Sequence, residues 1–126
     1  MINLSLALGY IHYALKRQSE NRHHLIMQGF SFLFAYYDLR KVSNVPSERQ
    51  EGEFNVGRAY HLLGLTHLAI PFYERCLVIS EDIEQTRGGG AVEDFATEAA
   101  FALQGIWAAS GEVHLAQKMT EKWLVL

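Results

Sequence analysis

The residues with the most chemical potential in this chain are its histidines, its one cysteine and a run of three glycines. His12 and the adjacent pair His23-His24 are metal-capable ligands. Neighbouring residues on a helix point about 100° apart, however, so the pair does not converge on one ion. They read instead as solvated or hydrogen-bonded side chains near a helix start. Arg22 beside them offers a planar fork of donors for a partner carboxylate or for an interhelical ion pair. Cys76 is the only thiol. A nucleophilic thiol needs a base and an orienting group, and neither accompanies Cys76, so it is expected to pack. Gly88-Gly89-Gly90 lacks both the lysine-hydroxyl continuation and the preceding strand of a phosphate-binding loop, which leaves a flexible connector. No acid, base and nucleophile share one constellation. The expectation is a non-catalytic chain with no cofactor and no metal.

What must position these residues is a set of helices. From residue 53 to residue 80 the sequence places Gly57, Tyr60, Gly64, Ala69, Tyr73 and Cys76 at the separations of a tetratricopeptide (TPR) repeat, a helical hairpin with a period of about 34 residues. Gly57 lets two helices approach, Tyr60 fills the groove between them, and Gly64 ends the first helix. Ala69 permits close contact, Tyr73 seals the pair, and Cys76 stays small where the next repeat packs. A second copy follows: Leu103, Trp107, Gly111 and Ala116 stand to one another as Val56, Tyr60, Gly64 and Ala69 do. That copy degenerates at Thr120 and Trp123, and residues 81–92 are inserted between the two. In the first copy, Glu53 or Phe54 occupies the usual early aromatic position and Glu81 the closing proline position.

Helical spacing also runs through Leu4, Leu8, Ile11 and Leu15, and the polar stretch 16–21 ends that segment. Residues 25–41 carry Phe30, Phe32, Leu33, Phe34, Tyr36 and Tyr37 on several faces, which calls for a helix buried between neighbours. Pro46 interrupts the chain, and Ser47 to Gln50 reads as a capping box. Further helices are expected over 47–63, 66–80, 92–110 and 112–124, with Pro71 bending the second of these near its start. The fold class is therefore all-α, a TPR-like right-handed stack (α-solenoid) of about three helical hairpins, over 3–41, 47–80 and 92–125, in a single domain 1–126. A 126-residue chain with 49% hydrophobic residues can build one core. Its formal charge of −3 argues against a stand-alone nucleic-acid binder, which usually shows a concentrated basic surface, so no direct nucleic-acid contact is expected. Neither a signal peptide nor a clean membrane span is legible, and a single cysteine fits a reducing compartment; a soluble intracellular protein is expected.

Four stretches carry a more specific resemblance: Arg17-Gln18-Ser19-Glu20-Asn21-Arg22-His23-His24, Gln28-Gly29-Phe30, the segment from Phe54 to Leu65 containing Asn55-Val56-Gly57-Arg58, and His67-Leu68-Ala69-Ile70-Pro71-Phe72-Tyr73-Glu74. Together they resemble the carboxy-terminal end of the TPR subunit of transcription factor IIIC. The resemblance implies a fragment of a larger subunit with earlier repeats upstream. It also implies a nuclear location, and a scaffold that joins sister subunits and supports recruitment of initiation factor IIIB for RNA polymerase III transcription. It places no catalytic residue here, and it makes sister subunits the nearer partners of this piece. An unrelated intracellular TPR adaptor or co-chaperone is the other reading, although a chaperone clamp calls for lysines and asparagines recurring along the inner helices, and only Asn55 fits.

Within such a scaffold, Asn55 and Arg58 are candidate partner-binding residues on an inner helix, with Arg58 either reading a partner or pairing with Glu93 or Glu98. Arg22 and Trp123 are further candidates. Trp123 is expected to fold onto the last repeat rather than await a partner. The face Leu4, Leu8 and Ile11 would be covered by a preceding repeat, or form a homodimer contact in isolation.

Overall fold

The computed structural model describes residues 2–16, 22–87 and 95–124. Among them the chain is helical throughout, in the order α1 (Ile2–Lys16), α2 (Arg22–Lys41), α3 (Pro46–Leu62), α4 (Thr66–Arg87), α5 (Ala96–Ala109) and α6 (Val113–Met119). A π-helical turn, Thr120–Leu124, prolongs α6. Each helix packs on the next, and α5 also receives the π turn. The triglycine 88–90 lies outside the described residues.

The two repeat copies close with the same backbone geometry. Gly64 (φ +77°) and Gly111 (φ +87°) take the left-handed conformation that residues with a Cβ resist. In the first turn the N–H of Leu65 donates to Tyr60 O at 3.0 Å and that of Gly64 to His61 O at 3.0 Å. In the second, Glu112 donates to Trp107 O at 2.8 Å and Gly111 to Ala108 O at 3.2 Å. These pairs satisfy the last carbonyls of α3 and α5 and reverse the chain. At Gly57 the constraint is space: a Cβ there would stand 3.1 Å from the Tyr73 ring and 3.2 Å from Phe72 Cβ.

Hydrophobic side chains gather in two connected cores. Leu4, Ala7, Ile11, Leu33, Tyr36, Val56 and Ala59 form the first, between α1, α2 and α3. The second joins Ala69, Tyr73, Cys76 and Leu77 of α4 to Ala96, Ala99, Ala100, Leu103 and Ile106 of α5. Tyr60 packs against both and stitches them together. Trp107 and Trp123 are half-buried against the second core, so the terminal tryptophan does fold back.

Several expectations are corrected. Leu4 and Ile11 are buried against α2 and α3, so the face expected to await an earlier repeat or a second copy is already covered within the chain. α2 is not enclosed on every side: Leu33 and Tyr36 are buried, whereas Met27 and Phe34 are exposed. α3 begins at Pro46 with Val45 as its N-cap and has no side-chain cap, because proline's fixed φ and missing N–H suit a first helical position. Ser47 therefore sits inside the helix. Ser43 holds this start instead: its hydroxyl donates to Glu48 and accepts the Val45 N–H, while Arg49 Nη1 donates to Ser43 O at 2.7 Å. Pro71 is tolerated within α4, which runs past Ser80 to Arg87 because Ile83 finds burial there.

Replacing Gly64 or Gly111 by alanine should cost roughly 1–2 kcal/mol each through backbone strain alone, since nothing lies within reach of either added Cβ. Gly105, helical and equally open, is the control: its alanine variant should gain about 0.5–1 kcal/mol in the same urea titration.

Candidate functional site

α3 meets a different neighbour on each of its faces. Val56 and Ala59 enter the first core, and Gly57 lies against Tyr73 and Phe72 of α4. A third stripe, Phe54, Arg58 and His61, repeats at helical spacing on the remaining face. Phe54 stacks on Phe95, just before α5, with ring centroids 4.8 Å apart. His61 Nδ1 and the Tyr73 hydroxyl are hydrogen-bonded at 3.1 Å. Arg58, between them along the stripe, is exposed and makes no ion pair with Glu98 among the described residues; Glu93 lies outside them.

Asn55 goes elsewhere. It is buried, and its Nδ2 donates to Tyr36 Oη at 3.2 Å and to Glu51 O at 2.9 Å. The asparagine amide is consumed in fixing α2 to α3, so it does not share a surface with Arg58 and is withdrawn as a partner contact. Arg22 opens α2, and His23 and His24 beside it are exposed, as is His12 on α1. Trp123 is half-buried, with Lys122 Nζ 5.3 Å from its ring centroid and that lysine paired with Glu81.

Spacing did not reveal the polar framework around the stripe. Glu53, in the position expected to hold an aromatic residue, is buried, and its carboxylate accepts the Tyr37 hydroxyl at 2.8 Å and Arg75 Nε at 2.9 Å. The Arg75 guanidinium lies 4.4 Å from the centroid of Phe72, whose ring meets Tyr37 edge-on at 5.8 Å. Tyrosine, glutamate, arginine and phenylalanine thus close a loop across α2, α3 and α4. Gln50 is fully buried; its Nε2 donates to Cys76 O at 3.1 Å and its Oε1 accepts the Phe95 N–H at 3.1 Å. The Cys76 thiol returns a donor to Gln50 O at 3.6 Å. Gln50 therefore ties α3 to α4 and to the start of α5. The only local clue was a polar residue in register with the buried positions Glu53 and Gly57.

Burial sets the acidity of the tyrosines. Tyr36, Tyr37 and Tyr73 are each pushed up from 10.0 to about 12, chiefly by desolvation. The hydrogen bond to Glu53 adds to the effect at Tyr37, whereas Asn55 opposes it at Tyr36 and Arg58 opposes it at Tyr73. Burial also raises Tyr60. No group of three or more histidine, cysteine, aspartate or glutamate side chains could hold a metal ion among the described residues. No helix among them is long and apolar enough to cross a membrane.

No protein-family model matches the chain. Against curated proteins, 98% of it is 43% identical to transcription factor tau subunit sfc4 of Schizosaccharomyces pombe. It is 36% identical over 98% of its length to the transcription factor tau 131 kDa subunit of Saccharomyces cerevisiae, and 35% identical over 94% to human general transcription factor 3C polypeptide 3. The chain spans only 13%, 11% and 13% of these relatives respectively, so the similarity is to one segment of each. All three carry the names of transcription-factor components, and the resemblance read from the residues is to that kind of subunit.

Gln50→Leu should destabilise the fold by roughly 1–3 kcal/mol, because it leaves the Phe95 N–H without its Gln50 acceptor and removes the tie from α3 to α4; urea unfolding measures this directly. The tyrosines predict an alkaline transition. Their folded pKa near 12 exceeds the unfolded 10.0, so the stability they contribute is complete below pH 10 and lost as pH rises toward 12. The urea midpoint should fall across that window together with rising tyrosinate absorbance, and Tyr37→Phe should flatten the fall.

Proposed function

We propose that this chain, a homologue of one segment of the transcription factor tau and general transcription factor 3C subunits, is a non-catalytic scaffold segment of transcription factor IIIC. It would lie within a larger, nuclear TPR subunit, toward that subunit's carboxy-terminal end. The observation that carries this reading is the identity along nearly the whole chain to three transcription-factor subunits. The helical hairpin stack supports it, since such stacks present side chains of successive inner helices on a continuous surface. Arg58 is the residue best placed to be read by a sister subunit: it is exposed, and it sits on the α3 stripe between Phe54 and His61. Other large polar side chains of α2, α3 and α4 are engaged in internal bonds, Tyr37 and Arg75 with Glu53 and Tyr36 with Glu51. Recruitment of initiation factor IIIB belongs, on this reading, to the larger subunit, with this segment joining it to its sister subunits.

Affinity capture from nuclear extract, with bound proteins identified by mass spectrometry, tests the proposal. The wild-type chain should recover transcription factor IIIC subunits. Arg58→Glu should recover markedly less while melting at the same temperature, since its side chain is exposed. Recovery of cytosolic chaperones or unrelated adaptors in their place would overturn the assignment; undiminished recovery by Arg58→Glu would remove that residue from the contact.

A further inference from the structure

A second surface lies away from the Arg58 stripe. His23, Ile26, Met27, Phe30, Ser31 and Phe34 of α2 face Tyr60 of α3 and Leu63 and Leu65 of the α3–α4 turn across a groove of about 630 Å³. Leu62 and Leu68, which flank the α3–α4 turn in sequence, are exposed as well. Met27 is 58% exposed and Phe34 39%, which is unusual for large apolar side chains meeting in one place.

The electrostatics of the groove narrow what fits it. Its lining contains no carboxylate. α2 starts at this end with Arg22-His23-His24 and has no acidic residue in its first turn. α4 starts directly after Leu65 with Thr66-His67, and its first turn has none either. Successive antiparallel helices thus bring two positive helix ends to the groove without the acidic residues that commonly balance them. α6, further along the stack, does carry an acid at its start, Glu112. An apolar floor bordered by two helix N-termini complements a segment that presents hydrophobic residues at helical spacing and carboxylates beside them. A second copy of this chain fits poorly, because a two-fold contact through this groove would bring the same positive ends face to face.

We propose that the groove between α2 and the α3–α4 turn binds an acidic amphipathic helix from another subunit of the assembly. This rests on the scaffold reading above and specifies a contact distinct from Arg58. Anchors at successive turns of the bound helix fill the space between Phe30, Phe34 and Leu63, and its acidic residues lie toward the starts of α2 and α4.

The test places the photocrosslinking residue p-benzoylphenylalanine at Phe34, in the protein expressed at full length in cells. Crosslinked peptides are sequenced, and uncrosslinked material is scored for recovery of sister subunits. The expected product is a segment of another subunit with apolar residues at spacings of three and four, flanked by aspartate or glutamate. Met27→Glu should cut its yield about tenfold or more. Leu39→Glu, on an exposed part of α2 outside the groove, should leave the yield unchanged and shows that α2 tolerates a new charge. A crosslink into a second copy, into a basic segment or to a non-protein ligand, no crosslink at all, or full yield from Met27→Glu would each overturn the proposal. Sister subunits recovered without a Phe34 crosslink sink the groove and leave the scaffold standing; their absence sinks both.

Discussion

The stack depends on burying a polar helix. The first half of α3 reads Pro-Ser-Glu-Arg-Gln-Glu-Gly-Glu-Phe-Asn, yet Gln50, Glu53 and Asn55 lie inside, between α2, α4 and the start of α5. Such burial is tolerable only when each donor and acceptor is met, because an orphaned one costs about 1–3 kcal/mol. Here the accounts close: no buried side-chain nitrogen or oxygen among the described residues lacks a partner. Tyr36 answers Asn55 and Glu51, Tyr37 and Arg75 answer Glu53, and the Phe95 N–H and Cys76 carbonyl answer Gln50. Directional bonds to three neighbours fix the register of α3 in a way that a greasy face alone would not. The two hydrophobic cores then form on either side of an element whose position is already set.

Backbone necessity made part of this fold legible in the sequence. Gly64 and Gly111 were readable because a helix that must reverse within a few residues needs a left-handed residue, and glycine supplies it at little cost. Gly57 was readable because its helix lies so close to the Tyr73 ring that an added Cβ would crowd it. Tyr60, Tyr73, Leu103 and Ala116 followed from the same spacing. Cys76 was placed as a small packing residue, and it is buried against α3 and α5.

The missed features share one cause, partners that are distant in sequence. Glu53 read as a flaw in the repeat because its partners, Tyr37 and Arg75, belong to the preceding and following helices. Gln50 looked like the end of a capping box, and only the approach of Phe95, forty-five residues on, shows why it is buried. Asn55 and Arg58 sit on one helix and were read as one surface. Three residues of α-helix turn a side chain through about 300°, but what decided their fates was the neighbour on each side. Tyr36 waits beside Asn55, whereas no described partner pairs with Arg58.

The same economy explains why exposed apolar residues concentrate near the α3–α4 turn. α2 has more aromatic and aliphatic residues than two neighbours can cover: α1 takes one flank, α3 takes Leu33 and Tyr36, and Met27 and Phe34 are left over. A chain that only had to fold would gain solubility from polar residues at those two positions, since neither contributes a buried face to either core. Their neighbour Phe30 does pack, with its ring centroid 5.0 Å from that of Tyr60, so the groove floor is continuous with the residue that joins the cores. A floor carried by helices that are already folded loses less conformational entropy when something lies down on it than a segment that must fold on binding, which favours this face of α2 as a place for a partner helix to bind.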